Sequence, residues 1–148
     1  MSEHIATLLW SLGDADFDIK TFSRNHQWDL GHGLEVSASS APDFGGDETR
    51  CDPEQAFVAA LSSCHMLTFL AIASLKKLKL LSYEDRAIGH LEKNDKRQLV
   101  ITRVDLYPKM TWDGPSPSPE QLEEMHHKAH TRCFLANSVN CEILTHLE

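Results

Sequence analysis

The sequence predicts an α+β fold, in which antiparallel sheets surround one long buried central helix. The segment Asp52-Pro53-Glu54-Gln55 opens an apolar run that continues to Ala73, which is typical of a core helix. Short apolar segments bounded by turn residues lie on both sides of it, without the regular helical crossovers of a parallel sheet. A chain of 148 residues with 41% hydrophobic and 24% charged residues suits one domain, which we expect to span residues 1-148.

The central helix has a clear start and end. Asp52 is a suitable N-cap, Pro53 suits the first helical position, and Gln55 completes a capping box. Lys76-Lys77 favours the negative end of the helix dipole. The residues beyond Gln55 are apolar or small on every face, so the helix should be buried nearly all round. Polar residues at 62–65 interrupt the run, which therefore falls short of the ~18 apolar residues that predict a membrane span.

The remaining elements follow from alternation and turn chemistry. Before the helix we expect a strand over His4–Leu12 and a hairpin around Gly31-His32-Gly33. After it we expect Tyr83–Glu92 and Leu99–Trp112 to pair as a hairpin, and the chain to end in a strand over Cys141–Leu147.

A second helix should follow the Pro- and Ser-rich turn at 113–119. Ser118 caps it, Pro119 takes its first position and Gln121 completes a second capping box. An apolar stripe on one side predicts a surface helix. The stripe, which should face inward, consists of Leu122, Met125 and Ala129. The polar residues that should face outward are Glu120, Glu123, Glu124 and His127. His126 and His130 have a spacing that can bind zinc, but the glutamate of a His-Glu-x-x-His site is absent, which favours a solvated face.

Charge, the N-terminal sequence and the cysteine spacing disfavour several classes of function. The net charge of -8 without a polybasic run disfavours nucleic acid and anionic membrane as partners. Residues 1–11 lack the features of a secretory signal, so we expect a cytoplasmic protein. The cysteines at 51, 64, 133 and 141 contain no Cys-x-x-Cys pair and match no compact zinc module, so Cys51 and Cys141 are interpreted as structural or incidental thiols.

Cys64, in the middle of the central helix, is the candidate for chemistry. On position alone it could be an inert buried thiol, since most buried cysteines are inert. A redox cysteine needs a nearby cation and often a second cysteine that resolves its sulfenic acid. Arg24 and Cys133 are the candidates for those roles, although Arg24 and Glu54 could equally be ordinary surface charges.

These residues resemble the OsmC/Ohr family of organic hydroperoxide reductases. Asp52-Pro53-Glu54-Gln55-Ala56-Phe57, followed by small residues and Ser63-Cys64-His65, is similar to the family's Asn-Pro-Glu segment and reactive cysteine. Phe22-Ser23-Arg24 resembles the segment that carries the family's active-site arginine, with Arg50 as the alternative. Arg132-Cys133-Phe134 resembles the segment of its second cysteine.

The resemblance implies a thiol peroxidase that reduces organic hydroperoxides to alcohols. Arg24 would keep Cys64 as thiolate, and Glu54 would hold the guanidinium through a bidentate contact. Cys133 would condense with the sulfenic acid, and an external dithiol, for example of the lipoyl type, would reopen the disulfide. No metal or other cofactor is required. The alternative from another class is a non-catalytic zinc or small-ligand binding module that uses the same cysteines and histidines.

Helix geometry predicts an oligomer. Ten residues of α-helix place Glu54 about 15 Å along the axis from Cys64, too far for one compact cluster. A helix apolar on all faces also needs more cover than two thin sheets provide. We therefore expect an intertwined homodimer, in which Glu54, together with Arg24, reaches Cys64 of the partner subunit.

Overall fold

The computed structural model describes residues 1–147 and divides into two compact units. The N-terminal unit is Met1–Ala56, and the C-terminal unit begins at Phe57. The division falls inside the first α-helix, α1, which runs without interruption from Pro53 to Leu75. The expected organisation as one domain stays a prediction.

The N-terminal unit contains a three-stranded antiparallel sheet in the order β1-β2-β3. Its strands are β1 (Thr7–Leu9), β2 (His26–Asp29) and β3 (Glu35–Ala38). The connection between β2 and β3 has positive φ at Gly31, His32 and Gly33, a conformation that glycine adopts without steric cost. The predicted hairpin at this position is confirmed.

The start of α1 is capped as the sequence predicts. The Asp52 carboxylate accepts a hydrogen bond from the backbone N–H of Gln55 at 2.7 Å, and the Gln55 side chain accepts one from the N–H of Asp52 at 3.3 Å. The preceding residue, Cys51, donates its N–H to the carbonyl of Ser37 at 3.1 Å. The last turn before α1 is thereby attached to the end of β3.

The C-terminal unit contains five strands and the second helix: β4 (Leu80–Asp85), β5 (Ile88–Lys93), β6 (Leu99–Leu106), β7 (Pro108–Trp112), α2 (Pro119–Arg132) and β8 (Glu142–Thr145). The predicted hairpin is present as β5 and β6, but each long predicted strand is split, and β4 pairs with β7 in a separate sheet. The split has a visible cause. The Asp85 carboxylate accepts the N–H of Tyr107 at 2.7 Å, and Pro108 has no N–H to continue the ladder of β6.

The last strand differs from the antiparallel expectation. β8 pairs with β6 in parallel, because the chain returns to that sheet after crossing over through α2. Asp105 on β6 strengthens this attachment, because its carboxylate is bonded to the ring nitrogens of His146 at 2.8 Å and His90 at 2.7 Å and to Nε of Arg103 at 3.0 Å. These bonds, with that from His146 the largest contribution, lower the pKa of Asp105 to about 2.

The core of the C-terminal unit consists of two clusters that share α1. Leu61 packs with Val104 and Leu106 of β6, and farther along the helix Phe69 packs with Met125 of α2. Although α1 is long and apolar enough to cross a membrane by length and composition, these contacts make it a core helix. Its other face is exposed in the single chain and carries small or apolar side chains at Ala59, Ala60, Ser63, Leu67, Ala71 and Ser74. The sequence predicted that α1 is buried on nearly every face, but in the single chain only one face of the helix is buried.

The second helix begins as predicted. Ser118 accepts the N–H of Gln121 at 3.3 Å, and the Gln121 side chain accepts the N–H of Ser118 at 2.9 Å, which completes the capping box. Met125 and Ala129 are fully buried, as the apolar stripe predicts. α2 ends at Arg132, with Cys133 as its C-cap residue.

Candidate active site

The two cysteines singled out in the sequence occupy defined positions on the two helices. Cys64 lies on α1 between Leu61 and Phe69, the residues that anchor the two core clusters, and it is half-buried. Cys133 is the C-cap of α2 and is 1% exposed. Cys64 therefore keeps access to a small molecule, whereas Cys133 is enclosed.

The structure brings these two sulfurs together. The side chain of Cys133 lies next to that of Cys64, and both residues are free cysteines. Burial and, next, the contact with Cys64 raise the pKa of the Cys133 thiol, while the backbone N–H of Ala136, 3.4 Å from its sulfur, acts in the opposite direction. Cys133 thus favours its protonated thiol form, and Cys64 is the neighbouring thiol with which it could form a disulfide.

A buried pair of histidines also joins α1 and α2. Nε2 of His65 and Nδ1 of His126 are 2.9 Å apart, and the two rings lie nearly parallel with an interplanar angle of 6°. The sequence interpretation of His126 as part of a solvated helix face is wrong, because His126 is only 3% exposed and stacks on Phe69 at 4.2 Å. The signal that could have found it is its position one residue after Met125, next to the apolar stripe of α2.

Burial sets the protonation state of these imidazoles. The pKa of His65 is lowered to about 4 by burial first and then by the charge of His130, and Asp85 acts in the opposite direction. The pKa of His126 is lowered to about 4 by burial and by His65. Both rings are therefore neutral at physiological pH.

Asp85 connects α1 to the neighbouring sheets. Its carboxylate accepts a hydrogen bond from the hydroxyl of Ser62, in addition to the N–H of Tyr107 described above. The hydroxyl of Tyr83 is buried without a hydrogen-bond partner among residues 1–147, and burial raises the pKa of Tyr83 well above its usual range.

Arg24 lies in an aromatic pocket of the N-terminal unit. Its guanidinium donates to the carbonyl oxygens of Phe22 at 3.1 Å and Ile19 at 2.9 Å, and it stands 4.5 Å above the Phe22 ring. Gly45 allows this approach, since a Cβ there would be 3.3 Å from the guanidinium carbon. The pocket has a volume of about 480 Å³ and is lined by Leu8, Trp10, Phe17, Phe22, Arg24, His26, Ser39, Ser40 and Pro53.

Glu54 and Arg24 form no ion pair with each other in the described part of the single chain. Among residues 1–147, no ion pair involves either of them, and Oε2 of Glu54 is buried without a hydrogen-bond partner. The alternative arginine, Arg50, is paired with Asp47 at 3.3 Å. Arg24 is therefore free to bind an additional anion, and a buried carboxylate oxygen of Glu54 lacks the cation it would normally need.

The other two cysteines are held within the fold. Burial raises the pKa of both Cys51 and Cys141, and the Cys51 thiol donates to the carbonyl of Asp52 at 3.5 Å. Within the part of the chain that the structure describes, no three His, Cys, Asp or Glu side chains are arranged to hold a metal ion. The zinc-binding alternative therefore lacks a ligand cluster there.

Comparison with known proteins places this geometry in a family. Residues 45–148 match the model of the OsmC-like protein family, a segment that contains Glu54, Cys64 and Cys133 but not Arg24. Among curated proteins, no significant match is found.

Solved structures give the same result over the whole chain. An OsmC-like protein of unknown function from Vibrio cholerae is 44% identical over 100% of both chains, with a TM-score of 0.94. An organic hydroperoxide resistance protein from Elizabethkingia anophelis is 20% identical over 100% of this chain and 96% of its own, with a TM-score of 0.75. The organic hydroperoxide resistance protein OhrB of Bacillus subtilis is 17% identical over 99% of this chain and 98% of its own, with a TM-score of 0.72. The predicted α+β fold and family resemblance are confirmed, and this chain belongs to the OsmC-like protein family.

Proposed function

We propose that this protein is a thiol-dependent peroxidase that reduces organic hydroperoxides to alcohols. The observation that carries the proposal is the proximity of an enclosed Cys133 to a half-buried Cys64. Two proteins with this fold are organic hydroperoxide resistance proteins, which agrees with a hydroperoxide as substrate.

The reaction has two chemical steps and a reductive step. The Cys64 thiolate attacks one peroxide oxygen, the O–O bond breaks, and the alcohol leaves after taking up a proton, so Cys64 becomes a sulfenic acid. The Cys133 sulfur attacks the sulfenic sulfur, the S–O bond breaks, and water leaves as the disulfide forms. An external dithiol, for example of the lipoyl type, returns two electrons by thiol–disulfide exchange. None of these steps requires a metal or another cofactor.

Arg24 and Glu54 are proposed to complete the site. The guanidinium of Arg24 carries no carboxylate partner among residues 1–147, so it can stabilise the Cys64 thiolate and orient the peroxide. Glu54 would hold that guanidinium in a bidentate contact, which would also satisfy its buried Oε2.

The assembly proposed for this site is an intertwined homodimer. The exposed face of α1 is a continuous stripe of small and apolar side chains, which a second copy of the helix could cover closely. Because α1 is uninterrupted from Pro53 to Leu75, Glu54 is about 15 Å along its axis from Cys64 of its own chain. Glu54 and Arg24 are therefore proposed to act on Cys64 of the partner subunit. The core contacts of α1 support the proposal of a cytoplasmic protein over a membrane protein.

The decisive experiment is an intact-mass measurement and a disulfide map before and after one equivalent of an organic hydroperoxide. The proposal requires consumption of the hydroperoxide, appearance of the alcohol and a new bridge between Cys64 and Cys133. An unchanged mass and unconsumed hydroperoxide would contradict it, and stoichiometric zinc in the purified protein would favour the binding module instead.

A further inference from the structure

A pair of imidazoles joins the same two helices that carry the two sulfurs. His65 on α1 and His126 on α2 are 2% and 3% exposed, and their rings are 5.3 Å apart with an Nε2 to Nδ1 distance of 2.9 Å. The proposed reaction assigns no role to either histidine.

Each imidazole is carried by the same helix as one of the sulfurs. His65 directly follows Cys64 on α1. His126 lies on α2 seven residues, or about two helical turns, before Cys133, the C-cap residue of that helix. The hydrogen bond between the two imidazoles and the contact between the two thiols therefore both connect α1 with α2 or its C-cap residue.

Burying two imidazoles in a core is energetically less favourable than burying two apolar side chains. Two leucines would occupy a similar volume without the loss of hydration that two imidazoles undergo. The cost is only partly recovered, since Nε2 of His126 has no hydrogen-bond partner among residues 1–147. What the hydrogen bond adds over apolar contact is direction, because it constrains distance and angle between the two helices where leucines would allow them to slide.

The chemistry at Cys64 depends on that constraint. A disulfide requires a sulfur–sulfur distance near 2.05 Å and a narrow range of dihedral angles, so a small displacement of α2 slows the attack by Cys133. A sulfenic acid that is not resolved can react with a second peroxide and become a sulfinic acid, which is not reversible by thiols.

We propose that His65 and His126 are positioning residues, which hold α2 against α1 so that Cys133 resolves the Cys64 sulfenic acid before a second peroxide reaches it. This role rests on the proposed peroxidase function. It also predicts a property that does not depend on peroxide, namely a high effective concentration of one thiol at the other.

The test compares variants that keep volume with variants that keep the hydrogen bond. His65→Leu, His126→Leu and their combination remove the bond but fill the space. His126→Asn keeps a polar atom at the position of Nδ1, and His65→Gln keeps one at the position of Nε2. Folding of each variant is checked by circular dichroism.

Three readouts separate positioning from a general structural role. In the leucine variants we expect sulfenic acid formation at an unchanged rate, disulfide formation slowed about tenfold or more, and sulfinic acid at Cys64 under excess hydroperoxide. The third readout is the Cys64–Cys133 equilibrium in a glutathione redox buffer, where we expect an effective concentration lower by about tenfold. His126→Asn and His65→Gln should recover most of each loss.

The outcomes distinguish this role from the function on which it rests. If the original protein does not react with hydroperoxide but the leucine variants lower the effective concentration, the peroxidase proposal fails and the positioning role stands. Folded leucine variants with unchanged effective concentration and resolution rate would overturn it. Should the leucine variants not fold, His126→Gln replaces them, because its amide cannot occupy the Nδ1 position. The role then requires His126→Gln to resolve more slowly than His126→Asn, and equal rates would refute it.

Discussion

The thiol of Cys133, at the carboxyl end of α2, lies next to the side chain of Cys64 in the middle of α1. Cys64 is half-buried and Cys133 is 1% exposed, so only one of the two sulfurs is open to a small molecule. This asymmetry gives the two cysteines different proposed roles, and it leads directly to the first prediction.

Cys64→Ser should abolish hydroperoxide consumption, by about a thousandfold or more, because it removes the nucleophile. Cys133→Ser should leave the first oxidation intact and trap Cys64 as sulfenic acid or a more oxidised product. Single-turnover kinetics and mass spectrometry measure both effects. Cys141→Ser is the matched control, since that thiol is proposed to have no part in the reaction, and full turnover by Cys64→Ser would refute the mechanism.

Arg24→Ala should slow the reaction of Cys64 at neutral pH by about a hundredfold, because the thiolate loses its cation. Arg24→Lys should restore only part of the rate, since an ammonium group cannot form a bidentate contact with a carboxylate. The thiolate absorbance at neutral pH and the rate of the first oxidation report the effect. Arg50→Ala is the control, because Arg50 is paired with Asp47; if it alone slows the reaction, Arg50 is the active-site arginine.

A site shared between subunits can be tested by complementation. A Cys64→Ser chain and a Glu54→Ala chain are co-expressed, and the mixed dimer is isolated. One of its two sites then combines an intact Cys64 with an intact Glu54 from the other chain. Peroxidase activity well above that of both parent homodimers is expected. A mixed dimer no better than its parents, or a fully active monomer, would exclude the shared site.

The histidine pair predicts a loss of stability in mild acid. In the fold the pKa of both His65 and His126 is about 4, against 6.5 for an unperturbed histidine. Between these values the unfolded chain binds protons that the folded chain does not, so stability decreases as the pH falls from 6.5 to about 4 and is not lowered further by this pair below that. The decrease should be on the order of 3 kcal/mol for each histidine.

Urea unfolding across this pH range measures the effect. The doubly substituted His65→Leu, His126→Leu protein should lose most of the slope. His130 and Asp85, the charged groups that act on His65, are present in both the original and the substituted protein. Their own titration therefore contributes equally to the two slopes. An equal slope in the two proteins would show that the pair is not the source.

Asp105 should cause a second pH-dependent loss of folding stability, at lower pH than the histidine pair. Its pKa is lowered to about 2, mainly by the hydrogen bond from His146, so its contribution is present above 3.8 and is lost as the pH falls through about 2. Asp105→Asn should destabilise the protein by about 1–3 kcal/mol at neutral pH, because the bonds from His146, His90 and Arg103 lose their charged acceptor. Hydrogen exchange should become faster at the amides of β8, and unchanged exchange there would contradict the role.

The sequence identified the local elements well, because their signals are local. The capping boxes at Asp52 and Ser118, the hairpin at Gly31-His32-Gly33 and the apolar stripe of α2 depend on residues within one or two turns of each other. It was less successful where a distant residue decides the outcome. The division of the predicted long strands depends on Asp85 bonding to Tyr107, and the parallel pairing of β8 with β6 depends on the path of the chain through α2.

For the candidate site, the resemblance to the OsmC/Ohr family selected Cys64, Cys133, Arg24 and Glu54, and their roles stay predictions. Only the tertiary structure decided that Cys133 contacts Cys64 and that His126 is buried against His65, because both contacts join helices far apart in the chain. Periodicity assigns a residue to a face of its own helix, but it contains no information about which residue of another helix lies opposite. That depends on how the two core clusters pack Phe69 against α2 and Leu61 against β6, which is a property of the whole fold.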